Sequence, residues 1–188
     1  ITSSAARMSV LIREVLNYSR LTGTQEHYKQ VDLNTILEGV TTDHELLIAQ
    51  KQAVIKSSEL PVIKGIPLQL QQLFSNLISN SLKFSTLAPV IEISSRKLSQ
   101  KEVHERAMLS PRFEYIELTF KDNGIGFDQQ YAEQIFTIFQ RLSSQRIYSG
   151  TGIGLAVCKK IVDNHHGSIT ALSEQHKGAT FIISLPIG

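Results

Sequence analysis

Lys121-Asp122-Asn123-Gly124-Ile125-Gly126-Phe127 is the stretch on which the reading of this chain turns: a strand ends on a carboxylate and runs into two closely spaced glycines. Glycine has no Cβ, so backbone there can approach a flat ligand, and a buried Asp122 can accept a hydrogen bond from an amino group. An Asp-Asn-Gly turn is the ordinary alternative. A second cluster, Gly150-Thr151-Gly152-Ile153-Gly154-Leu155, precedes a helix predicted over residues 152–164. Exposed N–H groups backed by a helix dipole hold phosphate oxygens well, although a plain glycine-rich turn is the commoner reading of such a run alone. It is not a P-loop, because Leu155 stands where that motif needs a lysine. It is not a dinucleotide fingerprint either, since the spacing differs and no strand leads straight into it.

Upstream, Pro67 suits the first turn of a helix predicted to reach about residue 84, with Leu70, Leu73, Phe74, Leu77, Ile78 and Leu82 as its core face. Asn76 and Asn80 stand one helical turn apart on it and share a face. Asn80 offers a neutral carbonyl oxygen of the kind that suits Mg²⁺ already carrying phosphates, and Lys83, one turn beyond, is placed to reach a phosphate. A solvated asparagine and a surface lysine are the bland readings of the same residues. Between the glycine clusters, residues 127–150 read as a mobile flap. Taken together these features describe a pocket for a nucleotide and its metal.

The remaining pattern supplies a frame for that pocket. Met8, Leu11, Ile12, Val15, Leu16 and Leu21 recur at helical spacing, predicting an amphipathic helix over residues 5–21 that Thr22-Gly23-Thr24 ends. A short extended stretch at 28–31 follows, then a helix over 33–50 for which Asp32 or Asn34 is the cap. Extended runs are predicted at 53–56, 62–64, 90–96 and 114–121, the last alternating Tyr115, Glu117 and Thr119 against Ile116, Leu118 and Phe120. Residues 99–112 read as a long hairpin loop. A terminal hairpin pairs 168–173 with 180–185 about Lys177-Gly178. This order predicts an α/β fold, a two-layer sandwich with a mixed sheet and helices on one face, preceded by one long amphipathic helix.

Composition narrows the class. With 188 residues, 41% hydrophobic and 19% charged, the chain is an ordinary globular protein, long enough for one good-sized core or a domain with an appendage. A net charge of +2 is too small to argue for nucleic acid or an anionic membrane as partner. The single Cys158 excludes an internal disulfide and a cysteine metal site; Leu155, Ala156, Ile161 and Val162 around it make it a core residue, in keeping with a reducing, cytoplasmic setting. No apolar run approaches the roughly 20 residues of a membrane span, so membrane attachment is expected only through segments outside this sequence. Ile1-Thr2-Ser3-Ser4 already sits inside a helical pattern, which points to a longer parent chain.

Leu73-Phe74-Ser75-Asn76-Leu77-Ile78-Ser79-Asn80-Ser81-Leu82-Lys83-Phe84 resembles the N box of sensor histidine kinases. Residues 122–126 resemble their G1 box and residues 150–155 their G2 box. Phe136 and Phe139, in Gln134-Ile135-Phe136-Thr137-Ile138-Phe139-Gln140-Arg141-Leu142, look like their F box. Gly178-Ala179-Thr180-Phe181 matches where the family keeps a threonine near the adenine. The boxes stand in family order at family spacing over nearly the whole chain.

The resemblance implies a Bergerat-type ATP-binding domain over residues 25–188 with an ATP lid at about 127–150. Residues 1–24 would be part of the second helix of a dimerisation and phosphoacceptor hairpin, with its linker. It further implies that Asp122 binds the adenine amino group, that Asn80 ligates Mg²⁺, and that Lys83 with the backbone of Gly152 and Gly154 faces the phosphates. Gly124, Gly126, Phe127, Arg141, Gly150, Thr151, Leu155 and Thr180 complete the implied nucleotide set, with Arg146 as a further lid candidate. Asn76, Asn80 and Lys83 are the catalytic candidates. Relatives of the same fold that hydrolyse ATP carry a glutamate at the position of Asn76. Asparagine cannot take a proton, and a neutral imidazole, with a free lone pair near pH 7, needs no such base.

The implied activity is transfer of the ATP γ-phosphate to a histidine, for relay to a response-regulator aspartate, in a homodimer formed through the N-terminal helix. None of His27, His44, His104, His165, His166 and His176 sits in a phosphoacceptor-like helix, so the acceptor is expected upstream of Ile1. His165 and His166 read as helix-end residues explained by charge–dipole interaction. A nucleotide-binding or pairing module with degenerate transferase activity is the alternative.

Overall fold

The computed structural model describes residues 27–85, 87–140, 142 and 151–188, together with Met8, Ser9, Leu11, Ile12, Val15, Leu16, Tyr18 and Ser19. These last residues are all helical. Leu11 and Tyr18 pack against the main core, whereas Met8, Ile12, Val15 and Leu16 of the predicted apolar stripe stay exposed.

β1 (Lys29–Asp32) pairs antiparallel with β3 (Val62–Gly65) in a small separate sheet. The main sheet runs β2 (Val54–Ser57), β4 (Val90–Lys97), β5 (Tyr115–Asp122), β7 (Ala179–Pro186), β6 (Ser168–Ser173). Only β2 and β4 run parallel, so the sheet is mixed as predicted. α1 (Leu33–Asp43), α3 (Pro67–Lys83) and α5 (Gly154–Asn164) cover one face of it. Every residue of the predicted core stripe of α3, from Leu70 to Leu82, is fully buried, and Phe74 meets Phe120 of β5 edge-on at 5.0 Å. Asp32 caps α1 by accepting from the Asn34 N–H at 2.8 Å, and that bond holds its carboxyl below the usual carboxylate range. Cys158 is buried in this core and its thiol is pushed up to about 12 by burial, which makes it inert.

Outside the segment between the two glycine clusters, the structure departs from the sequence reading at four places. The helix expected over 33–50 is broken at His44 into α1 and α2 (Glu45–Lys51). Thr41 and Thr42 turn their hydroxyls back onto the carbonyls of Leu37 and Glu38, a habit that bends helices, and His44 pairs with Ser75 at 3.1 Å.

The expected 99–112 loop contains α4 (Gln100–Glu105), started by a capping box between Ser99 and Glu102 that was readable as Ser-x-x-Glu. The Ser99 N–H and then Arg96 hold the Glu102 carboxyl down to about 2.

The alternation expected along β5 is absent because both of its faces are covered. Tyr115 joins a second core with Leu98, Val103 and Leu109, while Glu117 is enclosed by Arg96 at 2.7 Å and Arg106 at 2.6 Å. α4 therefore packs at the face opposite the three main helices, since successive strand residues point to opposite sides.

The fourth departure is His165. It does not present a charge to the end of α5: it is 1% exposed, its Nε2 accepts the Ile66 N–H at 3.0 Å, and its Nδ1 lies 2.8 Å from the Ile161 carbonyl. Burial drives its pKa below the ordinary histidine value, so the folded state holds it neutral. The unfolded chain then binds more protons than the folded one once the pH falls below about 6.5. Stability is complete above that value and declines as the pH drops toward the folded pKa. Urea denaturation between pH 7.5 and 5 is expected to show a steeper loss for the parent chain than for His165→Gln, whose amide oxygen still accepts from Ile66. Equal slopes would refute the assignment.

Candidate functional site

The end of β5, the end of α3 and the β6–β7 turn converge on Asp122. Its carboxylate is buried: Oδ1 accepts the Gly124 N–H at 2.8 Å and the Ala179 N–H at 3.2 Å, and Oδ2 accepts the Ser81 hydroxyl at 3.1 Å. A carboxylate has roughly four acceptor directions. The protein fills both on Oδ1 and one on Oδ2, which leaves Oδ2 with capacity for a single further donor.

The glycines are where backbone has to touch. A Cβ on Gly124 would lie 2.8 Å from both Asp122 Oδ1 and the Phe84 carbonyl. Gly178 holds φ +87°, and a Cβ there would collide with the Asp122 carbonyl oxygen. The Ile125 N–H donates to the Phe84 carbonyl at 2.8 Å, so the glycine loop is laced to the end of α3 that carries Asn80 and Lys83. Thr180 lies one residue beyond Ala179 on β7, opposite Lys121.

The second glycine cluster meets α3 on the same side. Asn76 donates its amide N–H to the Gly154 carbonyl at 3.2 Å, which ties α3 to the first residue of α5. The N-cap residue of α5, Ile153, has no capping side chain, and the first turn has no acidic residue, so its leading N–H groups suit an anion. Gly152 is at φ +77° and its carbonyl accepts the Phe139 N–H at 3.0 Å. Asn80, Thr151 and Leu155 are half-buried, and Lys83 Nζ sits 4.5 Å over the Phe84 ring.

Of the segment expected to be a mobile flap, residues 127–140 are built into the domain through two short 3₁₀ turns, Gln129–Tyr131 and Gln134–Phe136. Ile135 is buried there, and Phe127 and Phe136 pack on the core. Apolar side chains at 135 and 136 give this part a reason to stay down. Phe139 by contrast is 60% exposed. Arg141, Arg146 and Gly150 lie outside the described residues.

The sequence reading missed Ser81, which orients Asp122. Its signal was visible: a hydroxyl one residue after Asn80 and four after Leu77 falls on the apolar stripe of α3, where a polar residue needs a partner. It also missed Gln129 and Ser173, whose partners are distant in sequence. Among the described residues no cluster of histidine, cysteine or acidic side chains is arranged to hold a metal by itself, and no helix is long and apolar enough to cross a membrane.

Residues 65–188 match the sequence pattern of the family described as histidine kinase-, DNA gyrase B-, and HSP90-like ATPase. Among curated proteins, cyanobacterial phytochrome A of Nostoc sp. is 36% identical over 96% of this chain and 22% of its own length. Sensor protein EvgS of Escherichia coli O157:H7 is 30% identical over 94% of this chain and 14% of its own. The chain thus spans less than a quarter of the length of these relatives. Among solved structures, full-length ShkA in complex with AMPPNP superposes with a TM-score of 0.77 at 21% identity, covering 99% of this chain and 37% of that one. Histidine kinase ThkA in complex with response regulator protein TrrA gives 0.72 at 19%, over 100% and 49%. The last two similarities establish a shared fold.

Proposed function

The chain belongs to the histidine kinase-, DNA gyrase B-, and HSP90-like ATPase family, and from that premise we propose that it is the ATP-binding catalytic part of a cytoplasmic sensor histidine kinase. The observation that carries the reading is Asp122: a buried carboxylate whose remaining acceptor capacity matches one N–H of an adenine amino group. Gly124 and Gly126 let the loop close tightly on the Phe84, Glu174 and Gly178 backbone, which fixes it beside Asp122. The start of α5, with Gly152, Gly154 and Lys83, suits the phosphates. Asn80 would hold Mg²⁺, which neutralises phosphate charge when bound, and its amide oxygen is a donor of the right type. Phosphoryl transfer to nitrogen needs mostly such positioning and neutralisation, because the imidazole supplies its own lone pair.

The acceptor histidine, the homodimer through the N-terminal helix, and relay to a response-regulator receiver domain extend this proposal. The homodimer is supported by the exposed apolar residues Met8, Ile12, Val15 and Leu16. Relay draws on the likeness to a kinase solved with its response regulator. The test supplies a hairpin fragment bearing a histidine-acidic-proline helix together with labelled ATP and Mg²⁺. Label on histidine supports the kinase. ATP binding without transfer supports a nucleotide-binding module instead.

Asn76→Glu is expected to raise ATP hydrolysis several-fold without making it fast. The carboxylate gains a proton-accepting role but loses the bond to Gly154 that holds the start of α5. A flat turnover assay with Mg²⁺-ATP would count against a role for position 76 in choosing the acceptor.

A further inference from the structure

We infer that Gln129 and Ser173 are positioning residues for ATP, fastening the wall of the Asp122 pocket to the free edge of the sheet; the inference rests on the ATP reading above. β6 is the last strand of the sheet, and among the described residues its outer edge faces no other strand. There the Gln129 side chain acts as one added peptide. Its Nε2 donates to the Ala171 carbonyl at 3.1 Å and its Oε1 accepts the Ser173 N–H at 2.8 Å, the pattern a neighbouring parallel strand would make. This grip lies two residues after Phe127, the last residue of the first glycine loop.

The Ser173 hydroxyl completes the fastening. It accepts the Phe127 N–H at 2.9 Å and donates to the Gly178 carbonyl at 2.8 Å. One hydroxyl therefore joins the glycine loop, which supplies the Gly124 N–H to Asp122, to the β6–β7 turn, which supplies the Ala179 N–H to the same carboxylate. Both glycine segments flanking the carboxylate are held in place before a ligand arrives. Pre-organisation of this kind raises affinity by removing an ordering cost from the binding step. Gln129 is exposed, so its replacement leaves the core untouched and separates pocket order from global stability.

The experiment compares the parent chain with Gln129→Ala, Ser173→Ala, Gln129→Glu and the neighbour Gln130→Ala, whose side chain bonds to Asp128. Calorimetric titration with ATP and Mg²⁺ is expected to show affinity about fivefold weaker for Gln129→Ala and for Ser173→Ala, as for loss of an ordinary hydrogen bond. Gln130→Ala is expected to bind normally, and the melting temperature of Gln129→Ala to match the parent. Hydrogen exchange is expected to speed up at the Ser173 amide in Gln129→Ala and to stay slow in Gln129→Glu, which keeps an acceptor oxygen. Normal ATP binding by the parent with equal binding by Gln129→Ala would overturn the positioning role alone. Absence of ATP binding by the parent itself would overturn the functional reading and the positioning role with it.

Discussion

Asp122→Asn is expected to lose ATP affinity by about 100-fold while keeping its fold, because of how the carboxylate is shared. The Gly124 and Ala179 N–H groups both point at Oδ1, so the asparagine must keep its oxygen there and place its NH₂ at the position of Oδ2. Ser81 can adapt by rotating its hydroxyl to accept from that NH₂. Adenine cannot adapt in this way: its amino group then meets a donor where an acceptor stood. The measurement is calorimetric titration with Mg²⁺-ATP beside a thermal melt. Parent-like affinity in a folded variant would remove Asp122 from the adenine site.

Gly178→Ala is expected to be the most damaging single methyl in the pocket. The residue sits at φ +87°, where side chains other than hydrogen are strained, and the added Cβ would collide with the Asp122 carbonyl oxygen. That neighbour is backbone in the central strand pair β5–β7, which cannot step aside as a flexible side chain would. Strain and overpacking together cost about 3 kcal/mol or more. For a domain of this size that corresponds to a melting temperature lower by roughly 6–12 °C. ATP binding falls with it, since Gly178 precedes the Ala179 N–H that Asp122 accepts. By contrast a Cβ at Gly154 meets nothing closer than Asn76 Cγ at 3.9 Å, so Gly154→Ala should melt within a few degrees of the parent. Equal melting of Gly178→Ala and the parent by calorimetry would refute the packing argument.

What was legible in the sequence followed from local periodicity and from chemistry carried by neighbouring residues. The stripe of α3, the terminal hairpin and the two glycine clusters could be read because each is specified within one turn or one strand. The helix break at His44 could not be read so directly. It depends on Thr41 and Thr42 bonding backward and on His44 finding Ser75, a residue 31 positions away. His165 misled for a similar reason: a histidine ending a helix looks like a charge for the dipole until Ile66, 99 residues away, is seen to donate to it.

Within the site, the sequence alone determined the chemical types: a carboxylate at the end of a strand, glycines on either side of residues 127–150, and an asparagine in place of a base at position 76. Tertiary structure alone decided how those groups are occupied. It placed Ser81 and two backbone N–H groups on Asp122 so that acceptor capacity remains only on Oδ2, turned Asn76 onto Gly154, and fastened residues 127–140 to the sheet edge through Gln129. The physical reason is that a side chain's type is carried by its own residue. Which of its hydrogen-bonding directions remain for a ligand depends on every other group that reaches it, and those groups come from strands and turns far apart in the chain.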